Sequence, residues 1–491
     1  MPRLGVFIDL AVPSHWCASI LSGETCGLSG ASPHQVGASV PSLSPFTFHL
    51  SRPPPRVQSY PMSSPSRRSQ IAKVIQVSSG NFLEMYDFMV FGYFASAIGE
   101  AFFPAGDQFA SLMLSLMTFG VGFLMRPIGA LVLGAYIDRY GRRAGLILTL
   151  ALMSVGTFGL AFLPGFAVIG IAAPLLIVFS RLLQGFSAGV ELGGVSVYLA
   201  EIATPGHKGF YVSWQSASQQ AAVMFTALLG VILGAVLPPQ ALDQWGWRIP
   251  FVIGCLIIPF LFLLRRYLPE TEAFRVRKHR PSAAEIWKTL IRNWGIVLIG
   301  VMLVTMTTVS FYLITAYTPT FAKHELRLAP TAYLTVTLFV GLSNFIWLPI
   351  MGAVSDRIGR IPILATATII TLLTAYPAML WLTAAPSFTR LLIVELWLSF
   401  LYASYNGAMV VALTEIMPEE VRTAGFSLAY SLATALFGGF TPVICESLIK
   451  ATGNQASPGL WMSTAAALGL IATLLIRRRG PELAPGLGAV E

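Results

Sequence analysis

GAYIDRYGRR at residues 134–143 and GAVSDRIGR at residues 352–360 repeat one charged turn in the two halves of this chain. Each copy lies between two long apolar segments. Glycine permits a tight turn between helices, and arginines between apolar segments hold such a turn at one membrane surface. A charged turn at matching positions in a hydrophobic chain predicts two copies of one multi-helix unit.

The composition excludes an ordinary soluble domain. Of the 491 residues, 55% are hydrophobic and 11% are charged, whereas soluble domains are roughly 25% charged. The formal net charge of +9 comes from basic residues between apolar segments and not from one basic face, so we expect no nucleic-acid partner. The four cysteines are scattered without metal-ligand or disulfide spacing, so we expect no metal and no cofactor.

Twelve apolar segments are long enough to cross a lipid bilayer, which needs about 20 residues per helix. They predict an all-α membrane protein with twelve transmembrane helices in two pseudo-symmetric six-helix bundles. The predicted spans are 78–101, 109–136, 144–164, 170–199, 209–237, 248–267, 294–321, 330–354, 361–383, 389–414, 422–448 and 458–476.

The segments between the spans give a domain plan. Residues 1–77 are predicted to be a disordered extension, because the stretch is rich in serine and proline and lacks a helical period. Met62 begins a short basic leader, and we interpret it as an alternative start. The remaining boundaries place an N-terminal bundle at 78–267, a cytoplasmic loop at 268–293, a C-terminal bundle at 294–476 and a tail at 477–491.

The distribution of Lys and Arg predicts the orientation. Most basic residues between spans fall on the side that holds both charged turns. Because cytoplasmic loops carry an excess of Lys and Arg, we expect this side, and with it both chain termini, to be cytoplasmic. The chain is then a multi-pass protein of the inner membrane in contact with the lipid bilayer.

The charged turns are candidates for a cytoplasmic gate, because an aspartate there can pair with a cation or with the N-terminus of a helix. The alternative is that the turns only fix the topology. A second repeat, Glu201 after the fourth span and Glu415 after the tenth, supports parallel repeats. The predicted gating residues are Asp138, Arg139, Arg142, Asp356, Arg357, Arg360, Glu201 and Glu415.

Ionisable side chains within the predicted spans are costly and therefore functional candidates. No histidine lies in a span, so proton coupling would have to use a carboxyl group. We predict coupling at Asp87 opposed by Arg181, together with Glu84; the alternative is a permanent ion pair that locks two helices together. We interpret Glu395 and Glu446 as solvated near the outer surface and therefore as weaker candidates.

The substrate is expected in a central cavity between the two halves. Arg126 lies in a stripe of small residues and could bind a carboxylate with two hydrogen bonds, or it could be a partner of Glu84 or Glu191. Hydroxyl and amide groups suit a ligand with several oxygens, but each could equally form an interhelical hydrogen bond. The predicted substrate-binding residues are Arg126, Arg181, Gln184, Glu191, Gln215, Gln219, Tyr312, Thr315, Asn344, Tyr402, Tyr405 and Asn406.

Six stretches carry a family resemblance. They are SGNFLE at 79–84 with Asp87, FLMRPIGA at 123–130, RLLQGFSAGVELGG at 181–194, GWRIPF at 246–251, SNFIWLP at 343–349 and YNGAM at 405–409. Together they resemble the metabolite:proton symporters of the major facilitator superfamily, most closely the bacterial citrate–proton symporters.

The resemblance implies import of citrate, or of a related tricarboxylate such as tricarballylate, together with protons. We expect a monomer that works by alternating access. The alternatives are a proton symporter for betaine or proline, a transporter of another carboxylate such as a dicarboxylate, and a membrane sensor that does not transport. We expect no enzyme, because the sequence shows no nucleotide-binding loop, metal cluster or nucleophile elbow.

Overall fold

A computed structural model describes residues 74, 78, 80–104, 106–140, 142–266, 283–418 and 422–483. All regular secondary structure in these residues is helical. Met62 and nearly all of the predicted extension 1–77 lie outside the described residues. Within the predicted loop 268–293, residues Ala283–Arg292 form a helix, and the last helix continues into the predicted tail as far as Leu483.

Twelve consecutive helices, α1 to α12, correspond one by one to the twelve predicted spans. In the first half, α1 consists of Gly80–Tyr93 and Ala95–Phe102, α2 of Gln108–Leu124 and Arg126–Tyr140, α3 of Arg142–Phe162, α4 of Ala172–Ala188 and Glu191–Ile202, α5 of Lys208–Val236, and α6 of Arg248–Arg266. Short helices Phe166–Ile169 and Pro239–Ala241 and the π-helical turn Leu242–Gly246 connect them.

The second half follows the same order. Here α7 consists of Trp294–Tyr312, the π-helical turn Leu313–Tyr317 and Thr318–His324, α8 is Pro330–Ile358, α9 is Arg360–Ala384, α10 is Phe388–Ile416, α11 consists of Arg422–Ala433, the π-helical turn Thr434–Gly438 and Thr441–Thr452, and α12 is Ser457–Leu483.

Nine of these helices are long and apolar enough, within the described residues, to cross a membrane by themselves. The other three are α1, which is interrupted at Phe94, α3, whose apolar part is the shorter segment Ile147–Phe162, and α6, which is bent by 45° against the preceding segment Pro239–Gly246. The count of twelve therefore comes from the hydropathy pattern and the helix order together.

Glycines allow the two halves to approach closely at two helix pairs. A Cβ atom at Gly209 of α5 would collide with the carbonyl oxygen of Gly352 of α8, and a Cβ atom at Gly439 of α11 would collide with the ring of Phe123 of α2. Small residues commonly permit such approaches between membrane helices. The resulting core of buried aromatic and aliphatic side chains surrounds a small polar centre.

Candidate substrate and proton site

A small cavity of about 10 Å³ lies between the two halves, which is room for about one water molecule. Its first-half wall comes from α1, α2, α4 and α5, and its second-half wall comes from α7, α10 and α11. The lining residues are Met85, Arg126, Leu192 and Gln219 on the first-half wall and Thr308, Phe311, Tyr312, Tyr402, Tyr430 and Thr434 on the second-half wall.

The first-half wall carries a buried ion pair. Arg126 Nη2 donates to Glu84 Oε1 at 2.9 Å, and both side chains are 1% exposed. The guanidinium also lies over the rings of Phe88 and Phe123, at 4.9 Å and 4.4 Å from their centroids, which stabilises its charge further. Of the two interpretations of Arg126, the structure shows pairing with Glu84, and it also places Arg126 on the cavity wall.

Asp87 lies behind this wall in a second polar cluster. The Thr157 hydroxyl donates to Asp87 Oδ2, and Gln184 Nε2 donates to the same oxygen at 3.0 Å. Arg181 Nη1 in turn donates to Gln184 Oε1 at 2.7 Å. Gln184 therefore connects the carboxylate of α1 with the guanidinium of α4.

Asp87 and Arg181 form no direct ion pair in the described structure, because Arg181 lies over the ring of Phe91 at 3.8 Å and its hydrogen bond is to Gln184. The alternative of a permanent ion pair that locks α1 to α4 is therefore not seen in this conformation, and proton coupling by Asp87 with Arg181 stays a prediction. Arg181 is fully buried and lies outside the cavity lining. It can influence Asp87 through Gln184 without contacting a ligand in the cavity.

Four of the predicted substrate-binding residues, Arg126, Gln219, Tyr312 and Tyr402, line the cavity. Asn406 lies next to it, since its Nδ2 donates to the hydroxyl of Tyr402 at 3.3 Å. The remaining polar candidates of this set make other contacts. Gln215 accepts a hydrogen bond from Ser216, and Asn344 forms hydrogen bonds with Gln220 and Ser399. The hydroxyls of Thr315 and Tyr405 donate to the backbone carbonyls of Phe311 and Leu303, respectively. Glu191 is buried in the first turn of the second segment of α4.

Sequence reasoning missed Tyr430 and Thr434 of α11 as cavity residues. Their four-residue spacing within an apolar helix could have identified them, because residues four apart share a helix face. Thr308, one turn before Tyr312 on α7, is 2% exposed and its hydroxyl has no hydrogen-bond partner among the described residues. The second-half wall is therefore built from aromatic rings and neutral hydroxyl groups.

Glu395 of α10 and Glu446 of α11 are not solvated, so that expectation is wrong. Each side chain is 3% exposed. Thr318 donates to Glu395 Oε1 at 2.7 Å, and Tyr317 donates to Glu446 Oε1 at 3.0 Å. Two successive residues of α7, at the end of its π-helical turn, cover the two carboxyl groups and exclude water from them.

The second charged turn binds the N-terminus of a helix in the other half. Asp356 accepts hydrogen bonds from the backbone N–H groups of Gly209, at 2.8 Å, and Phe210, at 3.0 Å, in the first turn of α5. Arg360 Nη1 pairs with Asp356 at 2.8 Å, and Arg360 Nη2 pairs with Glu415 at 3.4 Å. A carboxylate at this position satisfies amide groups that the helix leaves unpaired and complements its dipole.

The other predicted gating residues lie away from this contact or outside the description. Arg357 and Glu201 are exposed. The side chains of Asp138, Arg139 and Arg142 lie outside the described part of the chain, although their backbone is helical. The structure therefore gives the side-chain contacts of the second copy of the motif alone, and the gating role stays a prediction.

Contacts between the halves also occur at the opposite ends of the helices. Ser96 Oγ lies 2.8 Å from His324 Nε2, which connects α1 with α7. Lys323 pairs with Asp243 at 3.3 Å, and Gly92 of α1 packs against Ala316 of α7. The two halves thus contact each other on both sides of the cavity.

Comparisons with known proteins agree with this architecture. The family model of the Major Facilitator Superfamily matches residues 77–442. The citrate-proton symporters of Salmonella typhi and Klebsiella pneumoniae are each 59% identical to this chain. The two matches cover 84% of this chain and 95% and 93% of the respective symporters. The alpha-ketoglutarate permease of Escherichia coli strain K12 is 31% identical over 85% of this chain and 96% of the permease.

A solved structure gives the same fold at low sequence identity. The crystal structure of a D-xylose-proton symporter superposes with a TM-score of 0.67 at 21% identity, and the match covers 85% of this chain and 99% of that one. At this identity the likeness shows the fold alone. The family match, the relatives and the helix order together establish that this chain is a multi-pass membrane protein and belongs to the Major Facilitator Superfamily.

Proposed function

We propose that this protein is a proton-coupled symporter that imports citrate across the inner membrane by alternating access, and that it is not an enzyme. The observation that carries the proposal is the buried Glu84–Arg126 ion pair on the cavity wall, in a chain that is 59% identical to citrate-proton symporters. Tricarballylate, which is citrate without its hydroxyl group, is a second candidate substrate. We also propose that the protein works as a monomer with both termini in the cytoplasm.

Competition for Arg126 supplies a mechanism for coupling. In the closed conformation, the charge of Arg126 is neutralised by Glu84 at 2.9 Å. A substrate carboxylate can pair with the guanidinium only if the ion pair between Glu84 and Arg126 breaks, because two carboxylates at one guanidinium repel each other in an environment of low dielectric constant. Protonation of Glu84 removes its negative charge, so the proton and the substrate carboxylate bind together.

Asp87 provides a second proton-binding group. Its Oδ2 accepts hydrogen bonds from Thr157 and Gln184, whereas its Oδ1 has no hydrogen-bond partner among the described residues, so one of its two oxygens can hold a proton. Protonation would weaken both bonds and change how Gln184 connects α1 with Arg181 of α4. We propose that the loaded protein reorients when Asp87, like Glu84, carries a proton.

Reorientation exchanges the contacts on the two sides of the cavity. Inward opening must separate Asp356 from the first turn of α5, and outward opening must separate His324 from Ser96 and Lys323 from Asp243. We propose that the bundles 78–267 and 294–476 move as two bodies around the cavity. The cavity must also widen, since about 10 Å³ cannot hold a tricarboxylate.

The test is uptake of radiolabelled citrate into proteoliposomes under an imposed inward proton gradient. We expect accumulation that an uncoupler abolishes and that Asp87→Asn prevents. Glu100→Gln is a matched control, because Glu100 is an exposed carboxylate of the same helix. Accumulation of betaine or proline but not of citrate under the same gradient would refute the tricarboxylate assignment and favour an osmolyte symporter.

A further inference from the structure

Glu395 of α10 is a buried carboxyl group that the coupling mechanism does not use. It is 3% exposed and is absent from the cavity lining. Its Oε1 is 2.7 Å from Thr318 Oγ1 of α7, and its Oε2 has no hydrogen-bond partner among the described residues. A buried carboxyl oxygen without a donor is poorly suited to carry negative charge.

Glu395 also lacks the cation that Glu84 has. Within the described part of the chain it takes part in no ion pair, whereas Glu84 is paired with Arg126 at 2.9 Å. An ionised carboxylate buried without a cation costs several kcal/mol, even after local relaxation. The neutral acid is the form that this site accommodates.

Counting the hydroxyl protons points to the same form. Thr318 has one hydroxyl proton but two acceptors within reach, Glu395 Oε1 at 2.7 Å and the carbonyl oxygen of Leu313 at 3.1 Å. A threonine hydroxyl donates once and accepts twice. If Glu395 is protonated, it donates to Thr318, and Thr318 donates to Leu313, so both short contacts become hydrogen bonds.

The neighbouring ionisable groups do not replace the missing cation. The ionisable side chains near the outer ends of α7, α8, α9 and α11 are three phenols, a thiol and one more carboxyl, of which the phenol on α8 is three residues and the others are about seven residues from the outer end of the helix. The basic groups nearer the outer ends make other contacts, Lys323 with Asp243, His324 with Ser96, Arg390 with the carbonyl of Trp381, and Lys450 with the ring of Phe109. These groups are Tyr317, Tyr333, Tyr376, Cys445 and Glu446, and the outer end of α7 is followed by Glu325.

We propose that Glu395 is a further proton-binding site, in the second half of the protein, that holds its proton in the closed conformation and exchanges it with the outer solution while the outer side is open. The link is α7, whose segment Thr318–His324 contacts Glu395 at one end and the first half at the other. Outward opening breaks the contacts of Lys323 and His324 with the first half. Movement of this segment separates Thr318 from Glu395 and admits water to the carboxyl group.

Infrared spectroscopy of the purified protein tests the protonation directly and does not depend on the substrate. We expect wild-type protein at neutral pH to show a carbonyl stretch of a protonated carboxylic acid that disappears in Glu395→Gln. Glu100→Gln, at an exposed glutamate, should lose a carboxylate band instead. Loss of a carboxylate band in Glu395→Gln would overturn the proposal.

Thr318→Val provides a second test that keeps the carboxyl group. Removal of the hydroxyl leaves the acid without its acceptor, so the acid band should move to the frequency of a carboxylic acid that makes no hydrogen bond. An unchanged band would show that Thr318 is not its partner and would overturn the assignment.

Transport stoichiometry tests with which side of the membrane the proton exchanges, and this arm rests on the proposed citrate symport. We expect Glu395→Gln to retain citrate exchange between equal solutions, because glutamine resembles the protonated acid, and to carry as many protons per citrate as wild type, because a proton that leaves to the outer solution and returns from it is not carried across the membrane. A ratio lower by one would show that Glu395 carries its proton across and would refute exchange with the outer solution alone. Failure of wild-type protein to transport citrate would instead refute the proposed function and leave the infrared result standing.

Discussion

The two walls of the cavity differ in how they hold polar groups. On the first-half side, carboxylates and guanidinium groups are arranged in compensated sets, Glu84 with Arg126 and Asp87 with Gln184 and Arg181. On the second-half side, the cavity meets Thr308, Tyr312 and Tyr402, which carry no charge at neutral pH. Charge that can move between partners therefore lies on one wall, and fixed neutral hydrogen-bonding groups lie on the other.

This difference suggests a division of labour. A compensated buried pair changes its net charge when one proton binds, so the first-half wall can couple protonation to ligand binding. Neutral hydroxyl groups can donate or accept, so they fit a ligand's oxygens without changing its charge. Substitutions on the first-half wall should therefore have large effects on transport, and substitutions on the second-half wall should have small ones.

Removal of the guanidinium should have the largest effect. Arg126→Gln takes the guanidinium from the cavity wall, and removing one partner of a buried charge pair with a ligand costs about 3 kcal/mol of binding free energy. That corresponds to a loss of roughly a hundredfold in citrate transport. Initial uptake rates in proteoliposomes measure it, with Arg390→Gln as the control, because Arg390 lies against Trp381 at the outer rim. Equal losses in both variants would refute a special role for Arg126.

Loss of the titratable group on the same wall should uncouple transport without stopping it. Glu84→Gln imitates the protonated carboxyl, so citrate exchange should persist while accumulation against a gradient falls. Under a proton gradient of one pH unit, each coupled proton contributes about tenfold to the accumulation ratio. The steady-state citrate ratio across the liposome membrane should therefore fall roughly tenfold. If the Glu84→Gln variant accumulates citrate to the wild-type ratio, Glu84 is not needed for coupling, and Asp87 is then the coupling carboxyl of the first half.

The gate contact should give a smaller shift. Asp356→Asn removes the charge that pairs with Arg360 and complements the N-terminus of α5, but the amide oxygen can still accept a hydrogen bond. We expect the closed conformation to lose about 1 kcal/mol relative to the inward-open one, which is a roughly fivefold shift of the equilibrium. The measurement is the rate at which a reagent added on the cytoplasmic side labels a cysteine placed in the cavity, and this rate should rise. Arg357→Gln, at the exposed neighbouring residue, should leave the labelling rate unchanged.

Much of the fold could be predicted from the sequence, because a helix that crosses a bilayer must be long and apolar and because the charged turns repeat between such helices. All twelve predicted spans correspond to helices. The depth of a side chain was harder to predict. Glu395 is seven residues into α10, or about 10 Å along the axis, yet it is buried because the π-helical turn of α7 places Thr318 over it.

The relation between Asp87 and Arg181 shows a second limit. Sequence reasoning found both residues and also Gln184. It could not show that Gln184 lies between them, because that arrangement depends on how α1, α3 and α4 pack and on the ring of Phe91 beneath Arg181. Helical periodicity gives the face of one helix, whereas a contact among three helices requires their tilts and separations.

The smallest expected effect is at the second-half wall. The hydroxyl of Thr308 has no partner among the described residues, so Thr308→Val breaks no internal hydrogen bond, and any loss reports on the ligand. One neutral hydrogen bond is worth about 0.5 kcal/mol at the lower end of its range, which is a two- to threefold rise in KM for citrate. Thr305→Val is the control, because its hydroxyl binds the carbonyl of Val301 one turn earlier on the same helix. If Thr308 binds the hydroxyl of citrate, Thr308→Val should not change the KM for tricarballylate. An equal rise in KM for both substrates would show that Thr308 binds a carboxylate. No rise for either substrate would show that Thr308 does not contact the ligand.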